Sequence, residues 1–268
     1  MANFDAQIQS LVGTADQTEM DTWASEAVVE LTNLFPPKLK QKCATLTELT
    51  SSTPMDLDGV GDILYVTREN ANSGHQVQCR AISPLYGGLA DDSSSIHYAT
   101  ATDPVYWLES RSDASKLIVK PDPSSAQTAN VYHIEYTSVN VSDTDTIANF
   151  PDEAEYLIVL YVGVKVLQNK MNEMQASIIH SDQDGSYTAS SGSSQGWEKV
   201  RDWLESEEDS EMAAASIQAL SAEMQQFMNE YQWYQAQQMK LQQDYDKGVQ
   251  ILVSGGMPVP QQPQGGGQ

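Results

Sequence analysis

PDEAEYLIVLYVGVKVLQNKMNEMQASII, residues 151–179, is the stretch whose reading decides the fold. Pro151 opens it at a first-turn position, where the missing N–H costs nothing. Asp152, Glu153 and Glu155 place negative charge at the positive end of a helix dipole. Leu157, Leu160, Tyr161, Val164, Leu167, Met171, Met174 and Ile178 then recur at the helical period. From Leu157 to Leu167 almost every face is apolar, which predicts a helix buried by several neighbours at once. No residue in it is chemically active, so its part is architectural.

Upstream, Phe4, Ile8 and Leu11 predict a short amphipathic helix ended by Gly13. Asp16 with Glu19 reads as a helix start of capping-box type. Trp23, Ala27, Leu31 and Leu34 supply the stripe of that second helix, which Phe35-Pro36-Pro37 stops. Residues 38–51 read as a short helix or mixed segment: Leu39, Cys43, Leu46 and Leu49 fit a helix, while Thr45, Thr47 and Thr50 lean toward strand. All-round burial of 151–179 implies the helices 16–34 and 38–51 against it.

Five short runs beginning at Asp62, Gln76, Val105, Lys116 and Asn130 are rich in β-branched and aromatic residues, with turn formers between them. They predict a small antiparallel sheet or meander inserted at about 56–140, with Lys120-Pro121-Asp122-Pro123 as a turn or edge exit. The expected class is α+β: mainly a helical bundle over 1–180, with an inserted β-sheet and a long C-terminal helix. Residues 181–196 are nearly devoid of apolar side chains and read as a flexible linker. Trp197, Val200, Trp203 and Leu204 suggest a short helix before the acidic run 205–211.

Over 212–250, Ile217, Leu220, Met224, Phe227, Tyr231, Tyr234, Leu241 and Tyr245 form a heptad seam broken once by Gln238. The other faces are glutamine-rich and carry few charges. Such a helix either contacts another copy or a partner, or folds back on the bundle as one more core helix. The tail 251–268 is low-complexity and expected to be disordered.

Fourteen basic residues against 37 acidic ones give this 268-residue chain a formal charge of −23. That argues against a surface that coats nucleic acid, yet suits a wall that nucleic acid slides past. Cys43 and Cys79 are too few for a disulfide scaffold and read as buried free thiols. The N-terminal stretch lacks the features of a signal peptide, and no apolar run reaches the roughly 18 residues of a membrane span. A cytoplasm-like compartment is expected.

No motif specifies a reaction, and neither a cofactor nor a metal site is expected. Gly192-Ser-Ser194-Gln-Gly196 matches G-x-S-x-G, but a hydrolase serine needs a strand-to-helix turn, and this one sits in a linker. His180, Asp182 and Asp184 resemble the start of a calcium loop with a wrong first ligand and Ser191 at its twelfth position. Asp56-Leu-Asp58-Gly-Val-Gly-Asp62 is better read as a turn. His133 and Glu135 share a strand face and read as a surface pair, not a metal or general-base site.

With this order laid out, the chain resembles the head-to-tail adaptor (connector) proteins of tailed bacteriophages, marine and cyanobacterial phages in particular. The resembling residues are the helix from Trp23 to Pro36, the strands from Lys116 to Pro121 and from Val131 to Tyr136, and the run from Ile147 to Leu157. These are packing patterns and cover roughly residues 15–175. The resemblance implies a non-enzymatic virion protein at the head–tail junction, present in the host cytoplasm during assembly. It implies a homo-oligomeric ring, typically twelvefold, with the portal on one side, tail or neck proteins on the other, and DNA passing through a channel. In some members a C-terminal helix docks on the portal, a role that 212–250 and the tail would fill here. Other neck, tail-terminator or hub proteins, a cytoplasmic assembly factor, or a hydrolase using Ser194 are the alternatives.

Overall fold

The computed structural model describes residues 3–70, 74–110, 114–143, 145–183 and 210–254, without the side chains of 176–183, 213, 216, 220 and 223. The class is α+β, as expected, with N-terminal helices, two four-stranded sheets and a long C-terminal helix. Two compact units partition the chain: residues 1–24, 141–143 and 156–250, and residues 25–140, 144–155 and 251–268.

In the first unit, helix α1 (Phe4–Val12) buries Phe4, Ile8 and Val12, its inward line at helical spacing. Asn3 caps it by accepting the Ala6 N–H, and Gly13 ends it at a φ of 76°, where a side chain would be strained. Helix α2 (Gln17–Leu34), whose residues from Ser25 onward belong to the second unit, starts at Asp16, whose carboxylate accepts the Glu19 N–H at 3.1 Å. The buried line of α2 is Met20, Ala24, Ala27, Val28 and Leu31. Trp23 is only half-buried and Leu34 is exposed, because Phe35 takes the inward place as the helix ends.

The quoted stretch forms α4 (Asp152–Gln183). Pro151 stands just before it rather than in the first turn, with its carbonyl accepting the Ala154 N–H. Leu157, Ile158, Val159, Val162, Val164, Val166 and Leu167 are all buried, so the core length of this helix is enclosed on most sides. Residues 38–51 supply no helix against it. They form a one-turn α3 (Pro37–Lys40), a 3-10 turn (Gln41–Cys43) and strand β1 (Ala44–Leu49), so the threonines decided that segment.

The final helix, α5 (Ser210–Val253), runs antiparallel to α4. Contacts follow reverse order along the pair: Leu157 meets Gly248, Tyr161 meets Tyr245 with ring centroids 5.7 Å apart, and Gly163 meets Leu241. A side chain at Gly248 would collide with Leu157 and the Tyr156 hydroxyl, so glycine sets the closeness of the two helices.

The β part of the second unit is larger than the sequence reading. Eight strands form two sheets, ordered β1-β8-β3-β4 and β2-β7-β6-β5, where five strands in one sheet were expected. The additions are β1 and the two-residue β2 (Met55–Asp56), while the run expected from Gln76 to Ile82 splits in two, its second part being β5 (Arg80–Ala81). The others are β3 (Val60–Glu69), β4 (Gln76–Gln78), β6 (Val105–Ser110), β7 (Ser115–Lys120) and β8 (Ala129–Glu135). All pairings are antiparallel except β5 with β6. Val66 and Val131 of one sheet share a core with Leu117 and Val119 of the other. The alternate residues Val105 and Trp107 pack beneath Ala90 and Ala99, so β6 and β7 are covered on both faces. The strand β7 stops at Lys120 before Pro121, as expected for an edge exit.

The expected linker 181–196 begins within α4, which runs to Gln183, and the acidic run 205–211 and the tail 251–268 overlap α5, which spans Ser210–Val253; residues 184–209 and those from 255 lie outside the described residues.

Candidate functional site

The constellations that lie among the described residues are engaged in structural contacts. His133 is buried, not on the surface: β8 turns it inward, and its Nε2 lies 2.9 Å from Thr47 Oγ1 on the paired strand β1. Glu135, two residues on, is exposed at the strand end. Asp56 accepts from Lys116 Nζ at 2.7 Å and from the Asp58 N–H, while Asp62 accepts from Lys40 Nζ at 2.6 Å. Those carboxylates are held by lysines around a turn, with Gly59 at a φ of 73°. Ser194 and the side chain of His180 lie outside the described residues. Among the described residues, no group of three or more His, Cys, Asp or Glu could hold a metal ion.

The thiols are sequestered. Burial pushes Cys43 up to about 11, against the pull of Lys40 and Lys42. Burial pushes Cys79 up to about 12, against the nearby Arg68 charge. Neither is a thiolate near neutral pH, so neither is a nucleophile.

A cleft of about 410 Å³ opens between residues 14–23 and the α4 residues Val166, Asn169, Lys170 and Glu173. Its polar groups are committed to holding helices together. Lys170 Nζ donates to the Val12 carbonyl at 2.7 Å, and Asn169 Nδ2 donates to Glu19 and Glu173. This is a packed joint.

The heptad seam of α5 divides in two. Leu241 and Tyr245 are buried against α4, Tyr234 is half-buried, and Ile217, Met224, Phe227 and Tyr231 are exposed. The side chain of Leu220 is outside the described set. Phe227, Met228 and Tyr231 line a hollow of about 280 Å³ with Met174 and Gln175 of α4.

No family model and no curated protein matches the chain.

The interaction candidate is therefore the surface of α5 itself. The sequence reading missed Met228, Trp233 and Met239, which are 60 %, 55 % and 56 % exposed. At roughly 100° per residue, Ile217, Met224, Met228, Tyr231 and Met239 return to within about 40° of one line. That line sits about 100° around the helix from Leu241, Tyr245 and Gly248 by the same spacing. A single heptad template hides it, because the template follows the packed seam. The spacing Met224-Met228-Tyr231 was the available signal. Among the described residues, no helix is long and apolar enough to cross a membrane.

Proposed function

We propose that this chain is a head-to-tail adaptor of a tailed bacteriophage, a virion structural protein forming a homo-oligomeric ring between portal and tail. The observation that carries the reading is a long helix anchored on α4 at one end and bearing exposed apolar side chains along the rest. Leu241, Tyr245 and Gly248 fix its C-terminal third on α4, while Ile217, Met224 and Met228 face solvent. A monomeric protein rarely leaves a contiguous apolar face of that kind without a partner. The resemblance of the α2, β7, β8 and α4 segments to adaptors supplies the identity of the partner. Charge supports the channel: carboxylates lining a lumen repel phosphate and offer DNA no adhesive sites. Co-sedimentation with purified portal rings tests this reading. The adaptor pellets with portal at a fixed ratio; a chain that stays in the supernatant at every concentration contradicts it.

A further inference from the structure

Three faces of α5 differ in what they meet. One, carrying Leu241, Tyr245 and Gly248, is occupied by α4. The methionine stripe of Ile217, Met224, Met228, Tyr231 and Met239 is exposed, with Met228 and Tyr231 on the rim of the hollow beside α4. A third set, Ala215, Ala219, Ala222 and Trp233, is also exposed. Their spacing returns them to within about 40° of a line roughly 180° from the methionine stripe. The helix thus presents long flexible side chains on one side and, over 215–222, alanines on the other.

We propose that the α5 helices of neighbouring copies pack side by side, the methionine stripe of one on the alanine-and-tryptophan face of the next. The inference rests on the ring reading above, for which it names the contact between subunits. Charge selects a second copy as the occupant. Over 212–239 the charged residues are Glu223 and Glu230, which by spacing flank the alanine line at about 70° and 50° and lie more than about 100° from the methionine line. A copy bearing −23 is repelled wherever carboxylates crowd, so an uncharged face is where another equally acidic copy can approach. A basic partner would instead favour the carboxylate-rich surfaces. Shape agrees: unbranched methionines adapt to the notches above alanines, which let helices come close. Two different faces on opposite sides give a heterologous contact, the kind that propagates around a ring; one face meeting itself would stop at a dimer.

The test uses the full chain without portal, by mass photometry and sedimentation velocity over a concentration series. Wild type assembles beyond a dimer. Met224→Glu with Met228→Glu disables one face, and Ala219→Glu with Ala222→Glu the other; glutamate keeps helix propensity at all four positions. Each variant alone is monomeric, with association weakened at least about 100-fold. An equal mixture of the two forms dimers and nothing larger, because one intact contact remains per pair. A wild type that is monomeric at every concentration overturns the proposal, as does an alanine-face variant that assembles normally. Should a glutamate variant lose helicity by circular dichroism, oxidative cross-linking decides instead. A Met224→Cys copy mixed with an Ala222→Cys copy gives a disulfide heterodimer, whereas homodimers alone or no cross-link refute the contact. Cys43 and Cys79 are buried and silent in that assay. Portal binding is read separately: a monomer that still binds portal sinks only this contact, and a self-assembling chain that ignores portal sinks only the adaptor reading.

Discussion

Arg68 is charged, buried and almost wholly enclosed by acceptors from its own unit. Its Nε donates to the Pro121 carbonyl at 2.8 Å, Nη1 to the Glu69 carbonyl at 3.0 Å, and Nη2 to Asp122 O and Gln127 Oε1. It thereby ties β3 to the turn after β7. Arg68→Met strands those acceptors and is expected to lower stability by about 2–3 kcal/mol in urea unfolding; a loss below about 0.5 kcal/mol would show that water replaces the guanidinium. Glu155 poses a different problem. Burial, opposed by the Ile147 N–H it accepts at 2.8 Å and assisted by the charges of Asp152 and Asp145, raises its pKa above the ordinary 4.5. Its contribution is therefore present below about pH 4.5 and is lost as pH rises through the raised folded value. Glu155→Gln keeps the acceptor and removes the charge. Its melting temperature should exceed wild type near neutral pH and converge with it below about pH 4.5; an offset independent of pH would refute the assignment. Burial of the two cysteines was legible from their type and number. Burial of His133 was not, because its place depends on which face of β8 turns inward, and that is set by the β1 partner.

Helices were the most legible elements, since their signals are local. Asp16 and Gly13 mark their ends through caps, and the 151–167 run marks its own burial. Strand β1 was ambiguous because Leu39, Cys43 and Leu46 carry a helical period while the threonines carry strand propensity; pairing with β8 settles the conflict. Strand β2, two residues long, leaves no pattern that a sequence can display, and the split of the run 76–82 into β4 and β5 follows from their pairing with different strands. For α5 the seam was visible but its division was not, because nothing local says where α4 ends as a partner. The two halves should respond differently to truncation. Leu241→Ala opens a cavity against α4 and is expected to cost about 2–4 kcal/mol. Met228→Ala removes mostly exposed surface and should change monomer stability by less than about 0.5 kcal/mol. Chemical denaturation of both variants checks this; equal losses would mean that the two halves are packed alike.

At the scale of the whole molecule, net charge governs association. A chain at −23 repels its copies, so salt acts in the direction opposite to its effect on nucleic-acid binding. Raising ionic strength from about 0.05 M to 0.5 M shortens the screening length from roughly 14 Å to 4 Å and should strengthen self-association, read as a shift of the sedimentation profile to larger species. Weakening by salt would mean that charge pairs, not apolar faces, hold the copies together. Architecture, an α+β chain with a β insertion and a long final helix, was readable from composition shifts along the sequence. The count of sheets was not, because strand pairing is non-local. The proposed function rests on what the exposed faces of α5 meet. Negative-stain imaging of portal rings with and without the full chain tests that most directly. The adaptor reading predicts an added layer of density on one face of the portal, with an open central channel. Portals unchanged in side view at saturating protein would contradict it.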